Sequence, residues 1–246
     1  MKLYCVLGAF VIGYCSISRG GEAPDFVLGE ADRRYLTSDG GTIYYTTDGS
    51  DPRGEDGKPS PSAKVANPPK LSKQILLDAD SPCKAWVPDH GEDDSQWQRL
   101  DFDDGAWTDA KPAIGYDEED TYIPFIKHDV KERMRGKRTG IYLRWTFDIP
   151  ELIEHQAVAL RVRCDDGFVA YINGNQVASM NPPRRISWQS KASDKVNDSA
   201  AMEFRTFHLS DGMKTFRKGP NVLAVHALNE SLTSSDFLFM AGIEAS

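Results

Sequence analysis

The feature that most constrains the fold is the stretch 161–179, RVRCDDGFVAYINGNQVAS, in which turns and strands alternate. Asp165, Asp166 and Gly167 predict one chain reversal, and Asn173-Gly174 is the pair best suited to the two positive φ angles of a type I′ turn. Residues 168–172 and 176–179 are therefore predicted to be antiparallel strands of one hairpin. We expect an antiparallel all-β protein, whose role is binding rather than catalysis.

The same kind of pattern continues on both sides of this hairpin. Strands are predicted at 141–148, 157–164, 168–172, 176–179, 203–209, 221–228 and 237–244, separated by Gly, Pro, Asn and Asp. In 157–164 apolar residues alternate with Arg161 and Arg163, which indicates one buried and one exposed face. Segment 221–228 is apolar on both faces, so we expect a central strand. The best short helix is 129–135. Together these segments predict an antiparallel β-sandwich.

The region before this sandwich predicts a smaller unit. TIYYTTDGSDPR at 42–53 alternates β-branched and aromatic residues and stops at two turn-forming pairs, Asp48-Gly49 and Asp51-Pro52. Residues 54–69 lack periodicity and predict a loop or linker, and 73–77 predicts one further strand. A unit with so few strands cannot bury a hydrophobic core by itself. We therefore divide the chain into a short unit at 24–80 and a sandwich at 81–246.

The N-terminus has the pattern of an export signal. Lys2 is a short basic start, and residues 3–16 form an apolar run shorter than a typical bilayer span. Ser16 or Ser18, or Gly21 and Ala23, offer small residues for cleavage. This predicts a signal peptide over 1–23 and a secreted or cell-surface protein without stable membrane insertion. An uncleaved anchor and a misassigned gene start are the alternatives.

Charge and cysteine content narrow the function classes further. The formal net charge of -8 and the pI near 5.2 argue against nucleic acid as the main partner, since phosphate binding needs a concentrated positive surface. Loss of the signal segment would leave Cys83 and Cys164. These two either form a disulfide in an oxidising compartment or are small buried apolar residues.

The sandwich region of the sequence resembles a known module. LRVRCDDGFVAYINGNQVAS and NVLAVHALNESLTSSDFLF, preceded by WQRLDFDDGAWTDAKPAIGY and YIPFIKHDVKERMRGKRTGIYLRWTF, are similar to the galactose-binding-like jelly roll of large secreted bacterial surface proteins, often found beside lamin-tail or spore-coat-H-type domains. The resemblance runs from about Cys83 to the C-terminus. It implies a β-sandwich that commonly binds sugars and often holds a structural calcium ion.

The N-terminal unit carries a second resemblance. TIYYTTDGSDPR resembles the Ig-like repeat known as the chitobiase/β-hexosaminidase C-terminal or fibronectin-III-associated element. Only part of that element is present, which suggests a gene fragment or a truncated relative of a longer protein.

Catalytic motifs are absent from the sequence. It contains no HExxH, GxSxG elbow, P-loop or GxGxxG, and His208 and His226 lie within predicted strands, as core or face residues rather than ligands. Carboxylates are abundant, but glycosidases need two of them about 5–9.5 Å apart, and abundance does not establish that separation. Because hard cations take several carboxylate oxygens from loops, Asp117, Glu118 and Asp120 are the candidate calcium ligands.

The tryptophans divide into two groups. Trp97, Trp107 and Trp145 are predicted core residues, the last because Ile141, Leu143, Trp145 and Phe147 share one face of a strand. Trp188 lies in a polar segment at 181–199. It either offers a flat apolar surface on which a sugar ring stacks or anchors its loop onto the sandwich.

Strand parity predicts where a site would form. If successive strands run antiparallel, the turn at 165–167 and the connections 116–140, 181–199 and 229–236 meet at one end of the sandwich, and long loops on a rigid scaffold commonly carry binding. His128 and Arg135 also belong to this rim. The candidate ligand-binding residues are Tyr122, Arg133, Asp165, Asp166, Arg184, Arg185, Trp188 and Asn229. Alternatively, these loops pack on one another and close that end.

The sequence therefore predicts a non-catalytic extracellular module that binds a polysaccharide or other glycan, with no nucleic-acid partner. A structural spacer of a surface protein, without a small ligand, is the second interpretation. A glycoside hydrolase is a distant third.

Overall fold

A computed structural model gives the fold of the chain. It describes residues 3–6, 12–17, 25–28, 34–37, 43–46, 50–54, 58–66, 74–89, 96–152 and 157–245. It separates two compact units, Met1–Ser72 and Lys73–Ser246.

The described residues of the first unit form six short strands: β1 (Leu3–Val6), β2 (Ile12–Ile17), β3 (Asp25–Leu28), β4 (Arg34–Thr37), β5 (Ile43–Tyr45) and β6 (Lys64–Ala66). Four of them form an antiparallel sheet in the order β1-β2-β5-β6, and β3 pairs with β4.

Strand β5 confirms the strand predicted within 42–53. The turn after it is held by Asp51, whose Oδ1 accepts a hydrogen bond from the Arg53 backbone N–H at 2.9 Å. The Asp48-Gly49 turn lies outside the described residues. Strand β6 falls in the segment predicted to be a loop, because pairing with β5 orders a run too short to show alternation.

Strands β1 and β2 fall within the predicted export signal. The structure pairs β2 with β5 through Cys15, Ser16 and Ile17. Of the cleavage candidates, Ser16 lies in β2, and Ser18, Gly21 and Ala23 lie outside the described residues. Removal of this segment stays a prediction. Within the part of the chain that is described, no helix is both long enough and apolar enough to cross a bilayer.

The second unit is almost entirely β structure. Its elements are β7 (Gln74–Leu77), β8 (Cys83–Trp86), β9 (Thr108–Ala110), β10 (Ile114–Asp117), β11 (His128–Asp129), α1 (Lys131–Met134), β12 (Gly140–Ile149), β13 (Val158–Cys164), β14 (Gly167–Ile172), β15 (Asn175–Met180), α2 (Asp198–Ala201), β16 (Arg205–His208), a 3-10 helix (Gly212–Thr215), β17 (Gly219–Leu228) and β18 (Asp236–Ala245).

These strands build two sheets. One has the order β11-β10-β18-β13-β16, with β7 also paired to β18, and the other has the order β15-β14-β17-β12-β8-β9. Every pairing is antiparallel except that of β10 with the short β11. The unit is therefore an all-β sandwich, which confirms the predicted fold class. All seven predicted strands and the short helix are present.

The core lies between the two sheets and is filled by large aromatic side chains. Trp145 and Phe239 lie 6.4 Å apart between ring centroids, and Phe168 lies 5.9 Å from Phe239. All three are fully buried. Strand β17 lies between β14 and β12 and is buried on both faces, which confirms the central position predicted for 221–228.

The boundary between the units falls earlier than expected. Residues Gln74–Leu77 fall within the small unit predicted at 24–80, but β7 hydrogen-bonds to the end of β18. Leu77 is buried within the sandwich core. Long-range pairing of this kind leaves no local signal in the sequence.

The two cysteines of the sandwich are free and buried. Cys83 lies on β8 and Cys164 on β13, which belong to different sheets. Burial raises the pKa of Cys83 to about 12, and the Cys164 thiol donates to the Gly167 carbonyl at 3.3 Å. Of the two alternatives, the structure therefore shows small buried residues rather than a disulfide.

The predicted hairpin is present with the predicted turn. Asn173 has φ 51° and Gly174 has φ 90°, the angles of a type I′ turn. The Asn173 side chain fixes this turn to β17, because its Oδ1 accepts from Val222 N and its Nδ2 donates to Asn221 Oδ1.

Replacing Gly174 by valine should destabilise the sandwich by about 1–2 kcal/mol, because a β-branched residue is strained at positive φ. An added Cβ would meet only Arg99 Cγ at 3.6 Å, so the cost is conformational rather than steric crowding. Urea denaturation measures it, with Gln176→Val at an exposed strand position as the control. Equal stability of the two variants would contradict the strained turn.

Candidate ligand-binding site

Four connections meet at the end of the sandwich where β13 turns into β14, which confirms the parity prediction. We call this the Asp165 end. Asp166 ties two of the connections together: its Oδ1 accepts from Val196 N at 3.0 Å and its Oδ2 from Glu230 N at 2.8 Å. The Asn229 backbone N–H donates to the Thr139 carbonyl at 2.7 Å, which attaches the connection 116–140 to the other two.

The centre of this end is a buried acidic cluster. Asp165 is 2% exposed and Tyr122 is 0% exposed, and neither Asp165 Oδ2 nor Tyr122 Oη has a hydrogen-bond partner in the described part of the chain. Burial, followed by the Asp166, Asp236 and Asp198 carboxylates, raises the pKa of Asp165 to about 8. Asp165 therefore carries a proton at neutral pH.

Four of the predicted ligand-binding residues are thus inside the protein. Tyr122, Asp165, Asp166 and Asn229 are all buried. The Asn229 Nδ2 donates to the Asp236 carbonyl at 2.7 Å, so it holds a loop closed. At these positions the loops pack on one another, as the alternative interpretation expected. Short polar residues in turns look alike in sequence whether they point inward or outward.

Asp117, the first candidate calcium ligand, stabilises the loop that follows it. Its Oδ1 accepts from Glu119 N at 2.7 Å and its Oδ2 accepts from Tyr122 N. Both oxygens therefore already have backbone partners.

The other two candidate calcium ligands lie on the surface. Glu118 forms ion pairs with Lys131 at 3.0 Å and Arg135 at 3.1 Å, and hydrogen bonds from these two residues lower the pKa of Glu118. Asp120 is exposed at φ 65°. Among the described residues, no three His, Cys, Asp or Glu side chains are grouped as a metal site. Calcium at Asp117, Glu118 and Asp120 stays a prediction.

Trp188 is half-buried rather than open on both faces. The Arg138 guanidinium lies 5.2 Å from the centroid of its ring, and Trp188 also packs against an aromatic cluster on the outer face of the β12-β17 sheet. This supports the role of a plug that anchors the loop. Arg184 and Arg185, on the same loop, are exposed.

The aromatic cluster is a second core that the sequence did not predict. Trp97 stacks on Tyr142 with a centroid distance of 4.1 Å and an angle of 11°, and Trp107 is buried beside them. Trp97 and Trp107 are core residues, as expected, but they cover the outer face of a sheet. His226 is fully buried beneath this cluster, and burial lowers its pKa to about 3.

Arg144 fastens the loop that carries this cluster. It is 2% exposed and donates from Nε to Asp104 Oδ2 at 2.7 Å, and from its terminal nitrogens to the carbonyls of Trp97, Arg99 and Phe102. The loop is therefore rigidly held.

An open cleft of about 150 Å³ lies at the edge of the sandwich, near the Asp165 end. Apolar side chains from β8, the residue after it, β12 and the residue before α1 border it, each at most 8% exposed, and polar side chains from β9, β11 and α1 line it as well. They are Ala85, Val87, Val130 and Ile141, and Thr108, His128, Asp129, Glu132 and Arg133.

The polar groups of this cleft have few partners. In the described part of the chain, the His128, Glu132 and Arg133 side chains make no hydrogen bond or ion pair, and Asp129 Oδ1 accepts only from Lys131 N. Arg133 is the one predicted ligand-binding residue that lines the cleft. The apolar lining was not predicted, because the pairing of β8 with β12 brings it there.

Comparisons with known proteins give one family match. A family model described as Fn3 associated matches residues 35–97, which confirms the resemblance of the 42–53 segment. The match covers a minority of the chain and extends into the second unit. No curated protein matches the chain.

Solved structures of glycosidases show a partial likeness. Bacteroides uniformis β-glucuronidase 2, covalently bound to cyclophellitol-6-carboxylate aziridine, has a TM-score of 0.45 and 18% identity over 71% of this chain and 18% of its own. An uncultured Clostridium sp. β-glucuronidase has a TM-score of 0.44 and 13% identity over 72% and 29%. A Bacteroides vulgatus β-glycosidase has a TM-score of 0.37 and 12% identity over 68% and 20%. The chain spans less than a third of each protein, and at these scores the likeness assigns it no activity.

Proposed function

We propose that the chain is a non-catalytic, extracellular carbohydrate-binding module of the galactose-binding-like type, and that the cleft at the edge of the sandwich binds a sugar. The observation that carries the proposal is a set of three polar side chains, His128, Glu132 and Arg133, that have no partner in the described part of the chain and lie beside a largely buried apolar lining. Ligand sites commonly combine these two features.

The lining matches the two kinds of surface that a sugar presents. A pyranose ring has an apolar face and hydroxyl groups around its edge. Val87, which is 8% exposed, is the apolar lining residue most accessible to that face. Glu132 can accept hydrogen bonds from hydroxyls, and Arg133 can donate them. Because neither side chain has a protein partner in the described part of the chain, binding breaks no existing hydrogen bond there.

Two carboxylates, Asp129 and Glu132, line this cleft, so hydrolysis needs consideration. The general acid of a glycosidase such as lysozyme lies in an apolar pocket shielded from water. Asp129 and Glu132 are both exposed, and Asp129 already accepts a backbone hydrogen bond. Binding without cleavage is therefore the better-supported function.

The double variant Glu132→Ala/Arg133→Ala should weaken glycan retention by about tenfold or more, since hydrogen bonds to charged groups contribute about 1.5–3 kcal/mol each. Affinity electrophoresis through gels containing a panel of polysaccharides measures retention. The matched control is Lys111→Ala/Glu119→Ala, which removes one base and one acid at exposed positions outside the cleft. A reducing-sugar assay on the same polysaccharides reports cleavage.

Retention that survives in the Glu132→Ala/Arg133→Ala variant would place the sugar outside the cleft. Failure of the parent chain to be retained by any polysaccharide would favour the structural spacer. Release of reducing sugar that stops in the double variant would show a hydrolase.

A further inference from the structure

One loop near the Asp165 end carries unpaired positive charge on an otherwise acidic protein. We define the basic loop as residues 184–191, RRISWQSK. Arg184 and Arg185 are exposed, and in the described part of the chain their side chains form no ion pair or hydrogen bond. The whole chain has a formal net charge of -8, so this concentration of cations runs against its composition.

The basic loop is held in one shape by its own hydrogen bonds. Ser190 Oγ donates to the Arg185 carbonyl at 3.2 Å and accepts from Ser187 N at 2.9 Å. Thr139 Oγ1 donates to the Ser190 carbonyl at 2.9 Å and ties the loop to the start of β12. Little backbone freedom is therefore lost when Arg184 and Arg185 engage a ligand.

A chain of contacts joins the basic loop to the cleft. Val87 lines the cleft, and the next two residues, Pro88 and Asp89, accept hydrogen bonds through their carbonyls from Arg138 at 2.8 and 3.2 Å. The guanidinium of Arg138 in turn lies over the Trp188 ring. The backbone that follows Val87 therefore links the cleft to Arg138, and Arg138 contacts Trp188.

We infer that the bound glycan is anionic: while one sugar ring occupies the cleft, carboxylate or sulfate groups further along the same chain bind Arg184 and Arg185. The inference rests on the proposed function and adds the class of glycan. Asp129 and Glu132 disfavour an anion within the cleft itself, whereas arginine guanidinium groups bind carboxylate and sulfate oxygens through paired hydrogen bonds. Trp188 and Arg138 lie between the two parts.

The test compares polysaccharides that differ only in charge. The whole chain is run through gels containing dextran or dextran sulfate, and polygalacturonate or its methyl ester, with single-stranded DNA as a polyanion of another class. The variant is Arg184→Gln/Arg185→Gln. The control is Lys214→Gln/Lys218→Gln, which removes two exposed charges beside the start of β17, at the opposite end of the sandwich.

We expect retention by one anionic polysaccharide over its neutral counterpart, and a loss of about tenfold or more in the arginine variant with no change in the lysine control. Dextran sulfate and polygalacturonate distinguish sulfate from carboxylate as the recognised group. Equal retention of charged and neutral forms, unaffected by the arginine variant, would overturn the inference and leave sugar binding intact. Equal retention by DNA would overturn it as unspecific attraction. No retention by any glycan would overturn the proposed function itself.

Discussion

Replacing Trp145 by alanine should lower the free energy of unfolding by about 3–5 kcal/mol, as large aromatic truncations in cores do. Trp145 is fully buried between the sheets, near Phe239. Its Nε1 also donates to the Ser81 carbonyl at 3.1 Å, so the variant leaves that carbonyl without its partner. Urea denaturation of the whole chain, followed by tryptophan fluorescence and circular dichroism, measures the loss.

The stability of the Trp188→Ala variant provides the comparison for Trp145→Ala. Trp188 is half-buried on a loop and contacts Arg138 and the edge of the aromatic cluster, so its removal should cost clearly less than that of Trp145. Glycan retention should fall in Trp188→Ala while the fold persists. If both variants unfold equally, Trp188 contributes to stability as a core residue does, and loss of retention would not identify it as a ligand contact. If Trp188→Ala folds and binds as the parent does, Trp188 does not contact the ligand.

The position of Trp145 was predictable because strand periodicity is local. Ile141, Leu143, Trp145 and Phe147 alternate along β12, and the structure buries all four in the core. The burial of Arg144 on the other face was not predictable. In a strand, an arginine between two apolar residues predicts a side chain that faces solvent. The burial of Arg144 is favourable only because carbonyl groups of the loop above it accept its hydrogen bonds.

In the candidate site, too, local sequence patterns predict some features, whereas others depend on residues far apart in the chain. Parity of antiparallel strands is enough to bring the loops to one end, and Asp166 and Asn229 indeed join them there. Whether a polar side chain in those loops faces the ligand or the interior depends on distant partners. The sequence therefore does not distinguish Asp165 from Arg133 as a candidate ligand-binding residue. In the structure Asp165 is buried, whereas Arg133 lines a cleft.

Asp165→Asn should make the stability of the sandwich much less dependent on pH. The pKa of Asp165 is raised to about 8 in the folded protein, first by burial and then by neighbouring carboxylates, whereas an unfolded aspartate has a pKa of about 3.9. The folded state therefore binds the proton more tightly. Its contribution to stability is fully present below about pH 4, decreases as the pH rises, and is lost above about pH 8.

The amide of asparagine stays neutral throughout, so the variant should gain stability relative to the parent between pH 5 and about 8, with no further gain above that range. The expected gain is a few kcal/mol, because a charged carboxylate at this depth costs far more than a neutral side chain. Asp166 and Asp236 also have raised pKa values, so the parent retains some pH dependence after the substitution. Urea denaturation at successive pH values measures the difference, with Asp120→Asn removing an exposed acid at the same end as the control. Parallel stability curves for parent and Asp165→Asn would show that Asp165 is ionised in the fold, and the buried acid would then need a cation or a rearranged Tyr122 hydroxyl to stabilise it.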